Sequence, residues 1–236
     1  MRRRRRVILA ILLVVLAVAG VVAGLTVAIH QEPDFYATAG VPAPDDELVA
    51  AAVITRYGDL QNDMLSRAEW GASFSDAEIN AWLRQYLDDK QGFADRLPPG
   101  VSGVRVAIQG DRLMVAARYE DDLDAFGWFR TVGSVELKVW LTKDVNTVAV
   151  QVCDVKAGDL SIGARRWLDK ITELARDRNI DVSWYRHEGQ PVGLFKFYAN
   201  QVRPTTQIRT VQVADGKITV GGRWLAQPTG TPLAKE

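Results

Sequence analysis

The first 29 residues restrict this chain more than any other stretch does. Five arginines, Arg2 to Arg6, precede 23 uncharged residues from Val7 to Ile29. A helix of that length extends about 34 Å at 1.5 Å per residue, enough to cross a hydrocarbon core of about 30 Å. Arginines beside a first apolar span stay on the cytoplasmic side. We therefore predict a single-pass protein of the cell membrane whose N-terminus is cytoplasmic and whose remaining chain is extracytoplasmic.

A cleaved signal peptide is the alternative interpretation of the same stretch. The arginines would form its basic region, residues 7–16 its apolar core, and Ala17-Val18-Ala19 its cleavage site. Cleavage there would leave ten apolar residues, Gly20 to Ile29, at the start of a soluble protein. The apolar run is also much longer than a signal peptide needs. The uncleaved signal-anchor helix is therefore the favoured interpretation.

The charges outside the arginine cluster argue against nucleic acid as a partner. Without those five residues, 24 basic residues face 29 acidic ones, so the outer part of the chain is acidic. Cys153 is the only cysteine, which excludes an internal disulfide. The alternating residues around it predict a strand, and we expect a buried, unreactive thiol there.

The composition divides the chain into five segments. Residues 30–44 contain three prolines and show no apolar period, which is typical of an extended tether, and Phe35 and Tyr36 are of the type that rests at a membrane interface. The segments are a cytoplasmic basic segment (1–6), a transmembrane signal-anchor helix (7–29), the tether (30–44), an extracytoplasmic α+β domain (45–227) and a tail (228–236).

Three helices are predicted in the domain, at residues 45–67, 75–87 and 164–178. The second has the clearest start, because Ser75 and Glu78 have the spacing of a capping box. Its apolar residues recur at helical spacing and predict that Trp82 is buried. Asn80 interrupts this pattern, either as a solvated side chain or as an amide that bonds a neighbouring strand.

Alternating residues predict four strands between residues 101 and 152, joined by short turns, and a closing hairpin around Asp215-Gly216. Strands joined in this way form an antiparallel meander with one apolar face. A short strand is also predicted at residues 180–184, whereas residues 191–201 could not be assigned from their period. The predicted fold is α+β, with one mainly antiparallel sheet and about three helices packed on it.

Three motifs resemble those of YpmS-like membrane-anchored envelope proteins, which are distantly similar to tubular lipid-binding domains. They are Phe74 to Leu83 at the start of a helix, Lys156 to Gly163 where the sheet leads into a helix, and Val213 to Val220 in the closing hairpin. The resemblance implies a long curved antiparallel sheet that cradles helices, with a groove for acyl chains. It implies no catalysis.

The residues themselves show no catalytic pattern. Of the two histidines, His30 lies beside the predicted span and His187 in a polar loop, and no serine has the surroundings of a nucleophile elbow. No pair of cysteines or histidines has metal-ligand spacing. We therefore predict no catalytic residues, no metal and no cofactor, and keep an envelope hydrolase as the second alternative.

Aromatic residues are the best candidates for a binding site. Trp140 alternates with Val135, Leu137, Val139 and Leu141, so it points to the other face of its strand, which a helix or a ligand must then cover. The predicted function is non-catalytic binding of lipid or another apolar envelope molecule, with an acyl chain held between sheet and helices. The alternative is a scaffolding partner of other envelope proteins. The candidate ligand-binding residues are Trp82, Tyr86, Trp140 and Trp167.

Overall fold

The chain has the predicted α+β fold, but its antiparallel strands form two sheets and not the single sheet that was predicted. The structure is a computed structural model that describes residues 24–87, 97–120, 130–163, 165–197 and 206–225. Residues 24–30 are helical, and we call them the N-terminal helical segment. The helices that follow are α1 (Asp34–Ala39), α2 (Asp46–Ser66), α3 (Asp76–Leu87) and α4 (Arg165–Arg176). The strands are β1 (Glu69–Ser75), β2 (Val101–Gln109), β3 (Arg112–Glu120), β4 (Arg130–Leu141), β5 (Thr147–Ala157), β6 (Leu160–Ser161), β7 (Asp181–His187), β8 (Gln190–Lys196), β9 (Thr206–Ala214) and β10 (Lys217–Trp224).

The larger sheet contains the predicted meander. Its strand order is β2-β3-β4-β5-β8-β7, and β6 pairs with β5 outside this path. The hairpin of β7 and β8 therefore continues the sheet beyond β5, and the unassigned apolar run after residue 190 is the strand β8. The three helices and the strands predicted from period are all confirmed, with shifts of a few residues at their ends.

The smaller sheet has the order β1-β10-β9. Its β9–β10 hairpin is the one predicted from Asp-Gly, and Asp215 and Gly216 both have the positive φ angles (53° and 71°) that a tight hairpin turn requires. The strand β1 was not predicted. It pairs along its whole length with β10, and β9 lies against β4 of the larger sheet.

The edge strand β2 is covered by α3, and Asn80 makes the connection. The Asn80 amide donates to the Val106 carbonyl (2.7 Å) and accepts from the Val106 N–H (2.9 Å), while the Asp76 carboxylate accepts from the Ile108 N–H (3.2 Å). These are the backbone groups of β2 that have no neighbouring strand, so α3 protects this edge from pairing with another chain. Of the two interpretations of Asn80, the amide that bonds a strand is confirmed.

The start of α3 is also as predicted. The Ser75 hydroxyl accepts from the Glu78 N–H (3.1 Å), and the Glu78 carboxylate accepts from the Ser75 N–H (2.8 Å), which completes the capping box. The prediction that Trp82 is buried was wrong, because its side chain is only half-buried. The side chains that α3 does bury are those of Asn80, Ala81 and Leu83, which lie on the face toward β2 and α2.

The predicted extended tether contains a helix instead, α1, which packs on the larger sheet. Tyr36 is only 6% exposed and forms a small core cluster with Ala116 and Val132, against which Phe35 also packs. The expectation that Phe35 and Tyr36 rest at a membrane interface was therefore wrong, because the apolar face of this short helix has a protein surface to cover.

The apolar side chains of α4 are only partly buried. Ala175 is buried, whereas Ile171 and Leu174 are exposed, because the main strand against which α4 packs is β7. No helix in the described ranges is both long and apolar enough to cross a membrane. The predicted basic segment (1–6), the span at residues 7–29 except its last six residues, and the predicted tail at residues 228–236 lie outside those ranges.

Candidate functional site

A row of polar side chains crosses the second face of the larger sheet. By strand register Arg112 on β3 lies beside Lys138 on β4, and Lys138 lies beside Gln151 on β5. These residues alternate with the apolar residues of the same strands, so they lie on the face that Trp140 shares. Helix α1 covers one part of this face, where it packs on Ala116 and Val132. The other part of the face, around Trp140, is not covered in this way and contains a pocket.

A β-bulge in β5 shapes this row. Glu136 pairs with Asp154 and Leu137 pairs with Val152, so Cys153 is the extra residue. Arg112 donates to the Cys153 sulfur, yet burial raises the pKa of this thiol above its usual range and outweighs the charge of Arg112. The thiol is protonated at neutral pH and is a poor nucleophile. The strand predicted around Cys153 is confirmed, although its side chain is half-buried rather than buried.

Two cations in the row are held by acids beside them. Lys138 lies 2.6 Å from the Asp111 carboxylate, and Arg112 lies 3.2 Å from Glu136 and 3.3 Å from Asp111. The hydrogen bond from Lys138, aided by the charges of both cations, lowers the pKa of Asp111, so this carboxylate stays ionised at neutral pH. The side chains of Arg112 and Lys138 nevertheless remain 38% and 42% exposed, which leaves donors free to reach a ligand.

Two amides form the floor next to these cations. Gln151 donates to the Gln190 carbonyl oxygen (2.5 Å), and Gln190 donates to the backbone carbonyl of Cys153 (3.0 Å). The turn between β7 and β8 has positive φ at Glu188 (51°) and Gly189 (81°), the geometry of a tight hairpin. This turn places His187 and Glu188 at the rim of the pocket.

Together these side chains line an open pocket of about 490 Å³. Its lining consists of Arg112, Lys138, Trp140, Gln151, His187, Glu188 and Gln190. Cationic donors and amides suit a polar ligand with negative charge, and an indole wall suits the flat or apolar side of the same ligand. Among these residues none carries a hydroxyl or thiol nucleophile, and the described part of the chain contains no cluster of residues able to hold a metal ion.

A second, smaller pocket of about 140 Å³ lies on the same face, closer to α1. Pro33 and Phe35 form one side of it, and Met114, Ser134 and other residues of β3 to β5 form the rest. The first pocket lacks the mainly apolar lining that an acyl chain requires, and the second is smaller than the pockets of about 300 Å³ or more that hold such ligands.

The aromatic residues singled out in the sequence do not form one site. Trp82 and Tyr86 stack on α3 with their ring centroids 6.2 Å apart, and neither lines the pocket of Trp140. The side chain of Trp167 lies outside the part of the chain that the structure describes. Sequence reasoning missed Arg112, Lys138, Gln151 and Gln190. The available signal was their alternation with apolar residues, on the face already assigned to Trp140.

Comparisons with protein-family models, with characterised proteins and with solved structures find no match to this chain.

Proposed function

We propose that the chain is a membrane-anchored, extracytoplasmic binding protein, without catalytic activity, that binds a polar anionic molecule of the cell envelope. The observation that carries this proposal is the open pocket of about 490 Å³ in which Lys138, Arg112 and Trp140 converge. The arginine cluster and the apolar stretch at residues 2–29 support the location.

The chemistry of the lining supports an anionic and hydroxylated ligand. A guanidinium group and an ammonium group form charge-assisted hydrogen bonds to phosphate or carboxylate oxygens, each worth about 1.5–3 kcal/mol. Gln151 and Gln190 hold each other in place, so their remaining donors and acceptors are oriented before a ligand arrives. The indole of Trp140 offers a flat wall for the carbon skeleton of such a ligand.

This lining favours a different ligand from the acyl chain expected from the sequence. An acyl chain gains about 0.8 kcal/mol for each buried CH₂ group and needs apolar walls to do so. The apolar residues of β4 (Val135, Leu137, Val139 and Leu141) lie instead on the opposite face of the sheet. Lipid binding by an acyl chain therefore stays a prediction, and the polar pocket is the better supported site.

Binding of short poly(glycerol phosphate) to the detergent-solubilised full chain tests the proposal, with glycerol and sodium myristate as the uncharged and the apolar probe. We expect calorimetry to show saturable binding of the phosphate oligomer alone. Lys138→Gln should weaken it about 10- to 100-fold, the equivalent of one charge-assisted hydrogen bond. Lys217→Gln, an exposed lysine on the other sheet, is the matched control and should bind like the parent. Equal binding by the Lys138 and Lys217 variants, or binding of myristate alone, would reject the polar site.

A scaffolding role is the second candidate, because exposed apolar side chains lie on two helices. Leu48 and Leu65 on α2 are 76% and 79% exposed, and Ile171 and Leu174 on α4 are exposed as well. Exposed apolar side chains on helices suit contacts with other envelope proteins. A Leu65→Glu variant that keeps its fold but no longer crosslinks to a membrane partner in cells would favour this role, whereas unchanged crosslinking would argue against the α2 surface.

A further inference from the structure

The carboxyl end of the N-terminal helical segment is seated directly on the larger sheet. The Asp159 N–H donates to the Ala28 carbonyl (2.8 Å), and the Thr131 hydroxyl donates to the Ile29 carbonyl (2.7 Å). The last carbonyls of a helix have no partner within the helix, so donors from elsewhere must satisfy them. Here those donors come from the β5–β6 turn and from the start of β4, which together form a socket for the helix end.

Gly158 makes the close approach in this socket possible. Its φ is 59°, and a Cβ atom added there would overlap the carbonyl oxygens of Ala28 and Ile29. The Gly158 N–H also donates to the Val132 carbonyl (2.9 Å), which fixes the turn to β4. Gly110 has the same φ of 59° but nothing within 4 Å of its Cβ position. Substituting each glycine by alanine therefore separates two effects: both changes strain a positive φ, but only the change at Gly158 also blocks the close contact with the helix end.

The residues after the helix end are fastened to the domain as well. Glu32 lies 2.9 Å from Arg118 on β3. The Tyr36 hydroxyl lies against Gly103 in β2, where a Cβ atom would come within 2.6 Å of it. Farther on, Arg84 donates to the Ala39 carbonyl (2.5 Å) and holds the Asp46 carboxylate with two bonds, of 2.6 and 2.7 Å. Successive contacts of this kind leave the segment little freedom to act as a flexible linker.

We infer that this socket locks the domain onto its N-terminal helix in one orientation, so that the domain is mounted rigidly on the anchor. The consequence for the bilayer rests on the membrane anchor proposed above, whereas the lock itself does not. Thr131 in the socket and Trp140 in the pocket lie on the same strand, nine residues apart, or about 30 Å at 3.3 Å per residue. A rigid mount holds the pocket at a fixed separation from the helix end.

Distance measurement between two spin labels tests the lock. In a Cys153→Ser background, labels at Val27→Cys and Lys196→Cys report on the helix and on the domain, since both positions are exposed. We expect a single narrow distance distribution for the full chain, both in detergent and in lipid nanodiscs. Gly158→Ala should broaden it, and Thr131→Val should broaden it less. Gly110→Ala shares the φ angle of Gly158 and should leave the distribution narrow.

A broad distribution in the parent, or equal distributions for the Gly158 and Gly110 variants, would overturn the lock. Melting of each variant, followed by circular dichroism, shows whether the domain is folded. If Gly158→Ala is unfolded, Thr131→Val carries the test, because it removes one hydroxyl and keeps the shape of the side chain. Failure of the full chain to enter nanodiscs would count against the anchor. It would not count against the lock, because the distance measurement in detergent tests the lock independently.

Discussion

Removing the Asn80 amide should lower the free energy of unfolding strongly, because this polar side chain is buried and bonded to the backbone of β2. Asn80 is 5% exposed, and its amide satisfies both the N–H and the carbonyl of Val106 at the edge of β2. Asn80→Ala would leave two buried backbone groups without partners, each at a cost of about 1–3 kcal/mol. We expect a loss of about 2–6 kcal/mol in the free energy of unfolding, a large part of the stability of an ordinary domain.

Urea unfolding of the detergent-solubilised full chain, followed by tryptophan fluorescence, measures this loss. Gln85→Ala is the matched control, because Gln85 lies exposed on the same helix and its loss should change stability by no more than about 0.5 kcal/mol. Equal losses for the Asn80 and Gln85 variants would refute the reasoning, since they would mean that water satisfies the edge of β2 as well as the amide does.

Asn80→Asp provides a second test of the same bonds, through pH. The carboxylate can accept from the Val106 N–H but has no proton for the Val106 carbonyl, whereas the protonated form can serve both. Burial and the missing donor therefore raise the pKa of this carboxyl in the folded state. The protonated carboxyl therefore stabilises the folded state relative to the ionised one. This stabilisation should be complete below the unfolded-state pKa of about 3.9 and should disappear as pH rises through the folded-state pKa. A variant that lost stability on acidification, relative to the parent, would contradict this.

Two further changes follow from other contacts of the helices. Arg84 lowers the pKa of Asp46 through its hydrogen bonds, so the contribution of this pair is present above the usual Asp pKa of about 3.8 and is lost as pH falls through the folded value. Asp46→Asn should cost about 1.5–3 kcal/mol at pH 7 and less at pH 3, measured by urea unfolding at both pH values. Trp82→Ala should cost about 1–3 kcal/mol rather than the 3–5 kcal/mol of a buried tryptophan, because Trp82 is half-buried; a loss above 4 kcal/mol would place it in the core.

The features that the sequence predicted well are those formed by residues close together in the chain. The capping box joins Ser75 and Glu78 across three residues, and the turn at Asp215-Gly216 needs only its own two φ angles. Asn179 behaves in the same way: it has a positive φ of 57° just after α4, and asparagine is one of the residues that commonly end a helix in this conformation. Local chemistry decides each of these, so a single sequence is sufficient.

The elements that were missed depend on partners far along the chain. The sequence of β1 alternates only weakly and contains Gly71, and the strand forms because β10, about 150 residues later, pairs with it. Helix α1 has six residues, too few to be stable by its own hydrogen bonds. It forms where Tyr36 packs on Ala116 and Val132, beside a glycine at position 103 that leaves room for the Tyr36 hydroxyl. No periodic pattern in residues 30–44 could predict that the larger sheet offers a surface on which Tyr36 packs.

The pocket depends both on residues close together in the chain and on distant partners. Only Trp140, which belongs to the first kind, was therefore predicted from the sequence. Alternation along β4 is local, and it correctly placed Trp140 on the face opposite the apolar set. Its partners His187 and Gln190 belong to the β7–β8 hairpin, which pairs with β5 only through β8. Alternation predicts that β7 is a strand but cannot tell which sheet or which neighbour it joins. The β-bulge at Cys153 adds a second obstacle, because one extra residue places Cys153 and Asp154 together on the polar face and interrupts the period of two from which the faces were assigned.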